Sequence, residues 1–138
     1  MGTFKTKLMV WNPAEPSRKI EVDVWVDTGA AFSWISRSRL EQLGIKPYRR
    51  VKCQTIEGTI LEREMASVFV GVDGYSGPDL VVMAEPKDNE VMGAHSIEGL
   101  TLAADPVQKK LIPAVMLALA ATNLREFEGR AELWQRKK

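Results

Sequence analysis

The stretch "VDVWVDTGAAFSWIS", Val22 to Ser36, decides how this chain folds. Ile20, Val22, Val24 and Val26 fall on one face of an extended chain, with Glu21, Asp23 and Trp25 on the other. Such period-two alternation marks a strand with one buried face. Asp27 breaks the pattern at the strand's end, and no further charge follows until Arg37. An unpaired buried carboxylate costs several kcal/mol, so Asp27 is neutralised, hydrogen-bonded or used. The residues after it suit a carboxylate held at a fixed angle. Thr28 brings a hydroxyl, Gly29 a backbone free to take positive φ, and Ala30 a side chain small enough for another backbone to approach.

Outward from this stretch the chain reads as short strands and turns. "FKTKLMVW" alternates as a strand, and "NPAEPS" is a turn with two prolines. "SRSRLEQLGI" predicts a short helix, capped by Ser36 or Ser38, with Leu40 and Leu43 on one face and Gly44 as its stop. "RVKCQTIEGTILEREMASVFVGV" predicts a long-armed hairpin turning around Glu57-Gly58. "DGYSGPD" reads as a second loop and "LVVMAEP" as a short apolar strand. "VMGAHSIEGL" turns on Gly93 into a helical turn ending at Gly99, and "LTLAADP" and "KKLIPAVMLALA" read as strands joined at Asp105-Pro106. The expected fold class is mostly β, a barrel or sandwich with one or two short helices. The expected domain spans residues 1–122. The tail, 123–138, carries Leu124, Phe127, Ala131 and Trp134 at helical spacing.

Bulk composition narrows the partners. A chain of 138 residues can bury one core, and 45% hydrophobic with 27% charged residues is ordinary for a soluble domain. The net charge of +1 predicts neither a nucleic-acid nor a membrane partner. Cys53 is the one cysteine, which rules out an intrachain disulfide and points to a reducing compartment. The apolar run Leu111–Ala121 is too short to span a bilayer, and the N-terminus lacks a signal-like apolar core. A cytoplasmic location is expected.

The chain resembles the single-domain, retropepsin-like aspartic proteases, in particular their bacterial and archaeal branch. The matching residues are "VDTGA" (Val26 to Ala30), the flap-like "QTIEGTI" (Gln54 to Ile60) and "VMGAHSIEGLTLAADPVQKKLIP" (Val91 to Pro113). The resemblance covers Ile20 to Pro113 in the expected order. It implies a closed acid-protease barrel assembled as a homodimer, because the family needs two aspartates and the motif occurs once here. Asp27 would be catalytic in each chain, supported by Thr28, Gly29 and Ala30. Thr55, Ile56, Glu57 and Gly58 would form a flap over an extended peptide or unfolded protein, with Ala31 lining the groove. Val91, Met92 and Gly93 would form the structural motif behind the loop. The resemblance implies no cofactor and no metal. Ala31 and Ala94 stand where retroviral members usually carry an acidic residue and an arginine that pair, so both halves of that pair are missing together.

The other conspicuous residues have plainer readings. His95, the one histidine, is expected at the surface or capping a helix, with no second ligand nearby for a metal. Cys53 is expected to be a buried structural thiol, and Trp25 and Trp34 to be packing residues. Ser33, Ser36 and Ser38 lack a serine-hydrolase context. The basic groups at Arg37–Arg39 and Tyr48–Arg50 read as a solvated face. Two rival functions remain: a non-catalytic peptide-binding or assembly module with the same fold, and a structural β domain in which Asp27 caps a turn.

Overall fold

A computed structural model describes residues 4–115. The strands are β1 (Lys5–Trp11), β2 (Lys19–Val26), β3 (Ser33–Ser36), β4 (Arg49–Gln54), β5 (Ile60–Val72), β6 (Tyr75–Ala84), β7 (Val91–Met92), β8 (Leu102–Asp105) and β9 (Lys110–Pro113). Two short helices, α1 (Arg37–Gln42) and α2 (Ala94–Gly99), follow β3 and β7. The first seven strands form one sheet in the order β1-β2-β7-β3-β6-β5-β4, and β1 also pairs with β5. That extra pairing closes six strands into a barrel and leaves β4 outside, on the flank of β5. Closure removes the free edges that an open sheet would present. The expected mostly-β barrel is therefore the fold found. The proposed tail helix, and the continuation of "KKLIPAVMLALA" past residue 115, lie outside the described residues.

The alternation read from the sequence explains the core. Val22, Val24 and Val26 of β2 point inward with Leu8 and Val10 of β1, all at most 3% exposed. Each such side chain contributes about 1.5–3 kcal/mol on full burial. In β5 the buried parity changes between Met65 and Ala66. Ala66, Val68, Val70 and Val72 face the barrel, whereas Arg63 and Met65 face the other side, where the strand leaves the barrel to pair with β4. α1 buries Leu40, the Leu43 that caps its C-terminus is buried as well, and Gly44 then turns the chain away at φ +74°, which favours glycine. Ser36 occupies its N-cap position, but its hydroxyl bonds to the Ser38 hydroxyl and caps nothing.

The loop expected over "DGYSGPD" is shorter than its composition suggests. β5 and β6 are joined by Asp73 and Gly74 alone, both at positive φ, a two-residue hairpin turn. Tyr75 to Asp79 already belong to β6. Pro78 is tolerated because β6 pairs there only with β5; its pairing with β3 begins at Val81. Among the described residues no helix is long and apolar enough to cross a membrane.

A bidentate ion pair secures the outer face of β5. Arg63 donates through Nε and Nη2 to Asp88 at 2.7 and 2.9 Å, and the Glu85 N–H donates to the same carboxylate at 2.8 Å. Both side chains are nearly buried. The Arg63 guanidinium holds the Asp88 carboxyl below the ordinary value of 3.8, against the opposing effect of burial. Because folding lowers this pKa, the pair's contribution is complete above the ordinary carboxylate range and lost as pH falls through the folded value. The stability gap between the protein and Asp88→Asn is therefore expected to be widest above about pH 4 and to shrink below it. Thermal melts from acid to neutral pH measure this directly.

Candidate active site

β7 lies between β2 and β3, parallel to the first and antiparallel to the second. This insertion fixes both ends of the turn that carries Asp27. The Asp27 N–H donates to the Met92 carbonyl at 2.9 Å as β2 ends. On the other side the Ala94 N–H donates to the Ala30 carbonyl at 2.8 Å, and the His95 N–H to the Ala31 carbonyl at 2.9 Å. Met92, Ala94 and His95 thus hold the loop from Asp27 to Ala31 by backbone bonds. The loop also closes on itself, from the Ala30 N–H to the Asp27 carbonyl at 3.2 Å.

The Asp27 side chain is half-buried, and its Oδ1 accepts the Gly29 N–H at 3.0 Å. Among the described residues no donor engages Oδ2. The Asp27 carboxylate is therefore pinned through one oxygen and presents the other. Gly29 does not use the positive φ expected of it; positive φ is found at Gly44, Gly58 and Gly74. Its role is proximity, since a Cβ there would lie 3.2 Å from Asp27 Oδ1. Thr28 and Ala31 are exposed on the same loop.

Gly29, Ala30 and Ala31 line a cavity of about 600 Å³ together with Phe32, Trp34 and β4. Trp34 walls this cavity, and Trp25 is 41% exposed, so neither fills the core as expected. Cys53 is likewise half-buried on the cavity wall, where burial pushes its thiol pKa up. The β4–β5 hairpin turns where "QTIEGTI" places it. The Thr55 N–H donates to the Thr59 carbonyl and the Gly58 N–H to the Thr55 carbonyl, both at 2.9 Å, with Gly58 at φ +89°. Ile56 at the tip is 99% exposed, an unusual position for a large apolar side chain in an isolated chain. β4 shares the cavity with the loop from Arg49 as far as Gln54, whereas the tip residues Thr55 to Gly58 do not line it.

Behind the loop stands a polar group that the sequence reading missed. Asp79 is 5% exposed, and its carboxylate accepts from the Ser96 hydroxyl and, at 2.9 Å, the Leu80 N–H, with His95 Nδ1 at 2.8 Å. Ser33 bonds to Ser96 in turn and accepts the Gly93 N–H at 2.9 Å. The direction is fixed at both ends: the Gly93 N–H donates to Ser33 and the Ser96 hydroxyl donates to Asp79, so the Ser33 hydroxyl donates to Ser96. Asp79 thereby braces the Gly93–Ser96 turn that clasps the loop, in a chain where Ala31 and Ala94 cannot pair. His95 lies at the surface, as expected, and is also this carboxylate's partner. The signal was available, because alternation through Val81 and Met83 puts Asp79 on the inward face once "SGPD" is read as strand. Asp79→Leu should cost about 2–4 kcal/mol, since it leaves the buried Ser96 hydroxyl without its acceptor and His95 without its partner, and a shift in denaturant midpoint will show it.

A family model described as aspartyl protease matches residues 17–100, more than half of the chain. Among solved structures, the EIAV protease complexed with the inhibitor HBY-793 is similar at 16% identity and a TM-score of 0.53, over 70% of this chain and 86% of that one. The simian foamy virus (mac) protease aligns at 17% identity and a TM-score of 0.48, over 70% of this chain and 93% of its own. No curated protein matches the chain. The first of these likenesses is one of fold, and agrees with the retropepsin-like barrel.

Proposed function

The chain belongs to the aspartyl protease family, and on that premise we propose that it is an endopeptidase whose active site is completed by a second copy of itself. One observation carries this reading. The single Asp27 carboxylate is held with one oxygen bonded on a loop clasped from both sides, whose residues Gly29 to Ala31 line a cavity. Two such loops meeting across a two-fold axis bring the two carboxylates together. A close pair cannot comfortably ionise twice, so the two share one proton and titrate as a unit. The ionised member takes a proton from a water between them as that water attacks the peptide carbonyl. The protonated member donates to the carbonyl oxygen and a proton then passes to the leaving amine.

Thr28, exposed in one chain, bonds across the axis and keeps the two loops rigid. Thr55, Ile56, Glu57 and Gly58 close over an extended peptide as a flap, and the exposed Ile56 gains cover in doing so. Ala31 lines the groove beside the substrate backbone.

The test is digestion of an unstructured protein between about pH 4 and 7, where shared-proton carboxylate pairs work. Cleavage should come from a species that sediments as a dimer, and a statine-type mimic of the tetrahedral intermediate should suppress it. Full cleavage by a monomer would refute the two-chain site, and none from a confirmed dimer would refute the enzyme.

A further inference from the structure

The cavity beside the catalytic loop has an uneven charge. Among the described residues no carboxylate lines it, whereas Arg49 and Lys52 of β4 both do. Period-two geometry places Arg49 on the strand face shared by Val51 and Cys53, and its register partner Met65 is another wall residue. The neighbouring cations are already committed. Arg50 pairs with Glu62 at 3.1 Å, and Arg63, which lies 6.0 Å from the Trp34 ring, is held by Asp88. Lys52 stands opposite Glu62 in the strand register, but that carboxylate is within ion-pair range of Arg50. Arg49 donates to the Tyr48 hydroxyl at 2.9 Å, a neutral acceptor that leaves its charge unbalanced. Among the described residues no ion pair engages Arg49 or Lys52.

We propose that this cavity is a substrate subsite for an acidic side chain, read by Arg49, with Lys52, which leaves the opposite face of β4 at the cavity's edge, adding only to the local field. The proposal rests on the peptidase reading and adds the substrate class. Trp34, Met65 and Val82 supply an apolar wall for the methylenes of a glutamate, while the guanidinium, with its fixed fork of donors, meets the carboxylate at the rim. The overall charge of +1 gives the protein no general attraction for acidic peptides, so any preference has to be local.

The experiment offers the full chain a library of unstructured peptides blocked at both ends, so that only side chains present carboxylates. Cleavage sites and peptides retained without cleavage are both sequenced. Glutamate is expected to exceed glutamine at one fixed position by about fivefold to tenfold, the scale of one charge-assisted hydrogen bond. The ratio should fall in high salt, collapse in Arg49→Gln/Lys52→Gln and persist in Arg49→Lys. All replaced side chains are exposed on an outer strand, and unchanged thermal melts would establish that the variants fold.

Cleavage with no acidic preference overturns the subsite and leaves the peptidase standing. The same holds if the preference survives in the double glutamine variant, or appears only with free C-termini. Arg49-dependent retention of acidic peptides without cleavage supports the subsite and removes the peptidase. Neither cleavage nor retention overturns both.

Discussion

Asp27→Asn is expected to lower kcat by about a thousandfold or more, ~4 kcal/mol of transition-state stabilisation, with little change in stability. The asymmetry follows from what the side chain does in each role. Its structural duty is to accept the Gly29 N–H through Oδ1, and an asparagine carbonyl of the same shape can accept that bond. Its chemical duty is to take up and release a proton, which an amide cannot do near neutral pH. In a homodimer one substitution replaces both carboxylates, so no half-active pair remains. The shared-proton pair carries one negative charge, so two neutral amides add no repulsion at the axis, and the dimer should hold about as well. Cleavage assays of the two proteins side by side, with melting curves as the control, decide it. A variant that still cleaves the same peptide would take Asp27 out of the mechanism.

Gly93→Ala is expected to be the most damaging small substitution in the described chain, costing about 3 kcal/mol or more. The added Cβ would lie 2.5 Å from the Phe32 carbonyl carbon and oxygen and 2.7 Å from the Ala30 oxygen. All three are backbone atoms of the segment that follows Asp27, which no rotamer change can move aside. Backbone strain is not the cause, because φ of −94° and ψ of 178° suit any residue. Close approach alone demands glycine here. Shifting the loop to make room would also disturb the bonds from Ala94 to Ala30 and from His95 to Ala31, so activity should fall with stability. Gly77→Ala is the control, since nothing lies within 4 Å of the position its Cβ would take. Urea unfolding of both variants gives the comparison, and equal midpoints would contradict the close-approach account.

Much of the barrel was legible because its strands have one wet and one dry face. Where that holds, as in β2, hydrophobic alternation states both the strand and its buried side. The β4–β5 hairpin was legible for a related reason: Gly58 marks the positive-φ position that closes a three-residue loop. Local chemistry misled at "DGYSGPD". Five consecutive turn-forming or polar residues suggest a loop, yet β5 imposes strand geometry as far as Tyr75. That misreading hid Asp79, and with it the explanation for His95 and Ser96.

By itself the sequence determined the strand ending at Asp27, the tight turn that follows it, the hairpin and the family resemblance, all of which depend on neighbours within a few residues. Only the tertiary structure decided what surrounds that turn. The insertion of β7 between β2 and β3 and the brace from Asp79 join residues 16 to 66 positions apart, and Arg49 has no ion-pair partner among the described residues. Their pairing is set by barrel closure and by the need to satisfy every buried polar group. No local pattern encodes that requirement, because it exists only after the chain has closed on itself.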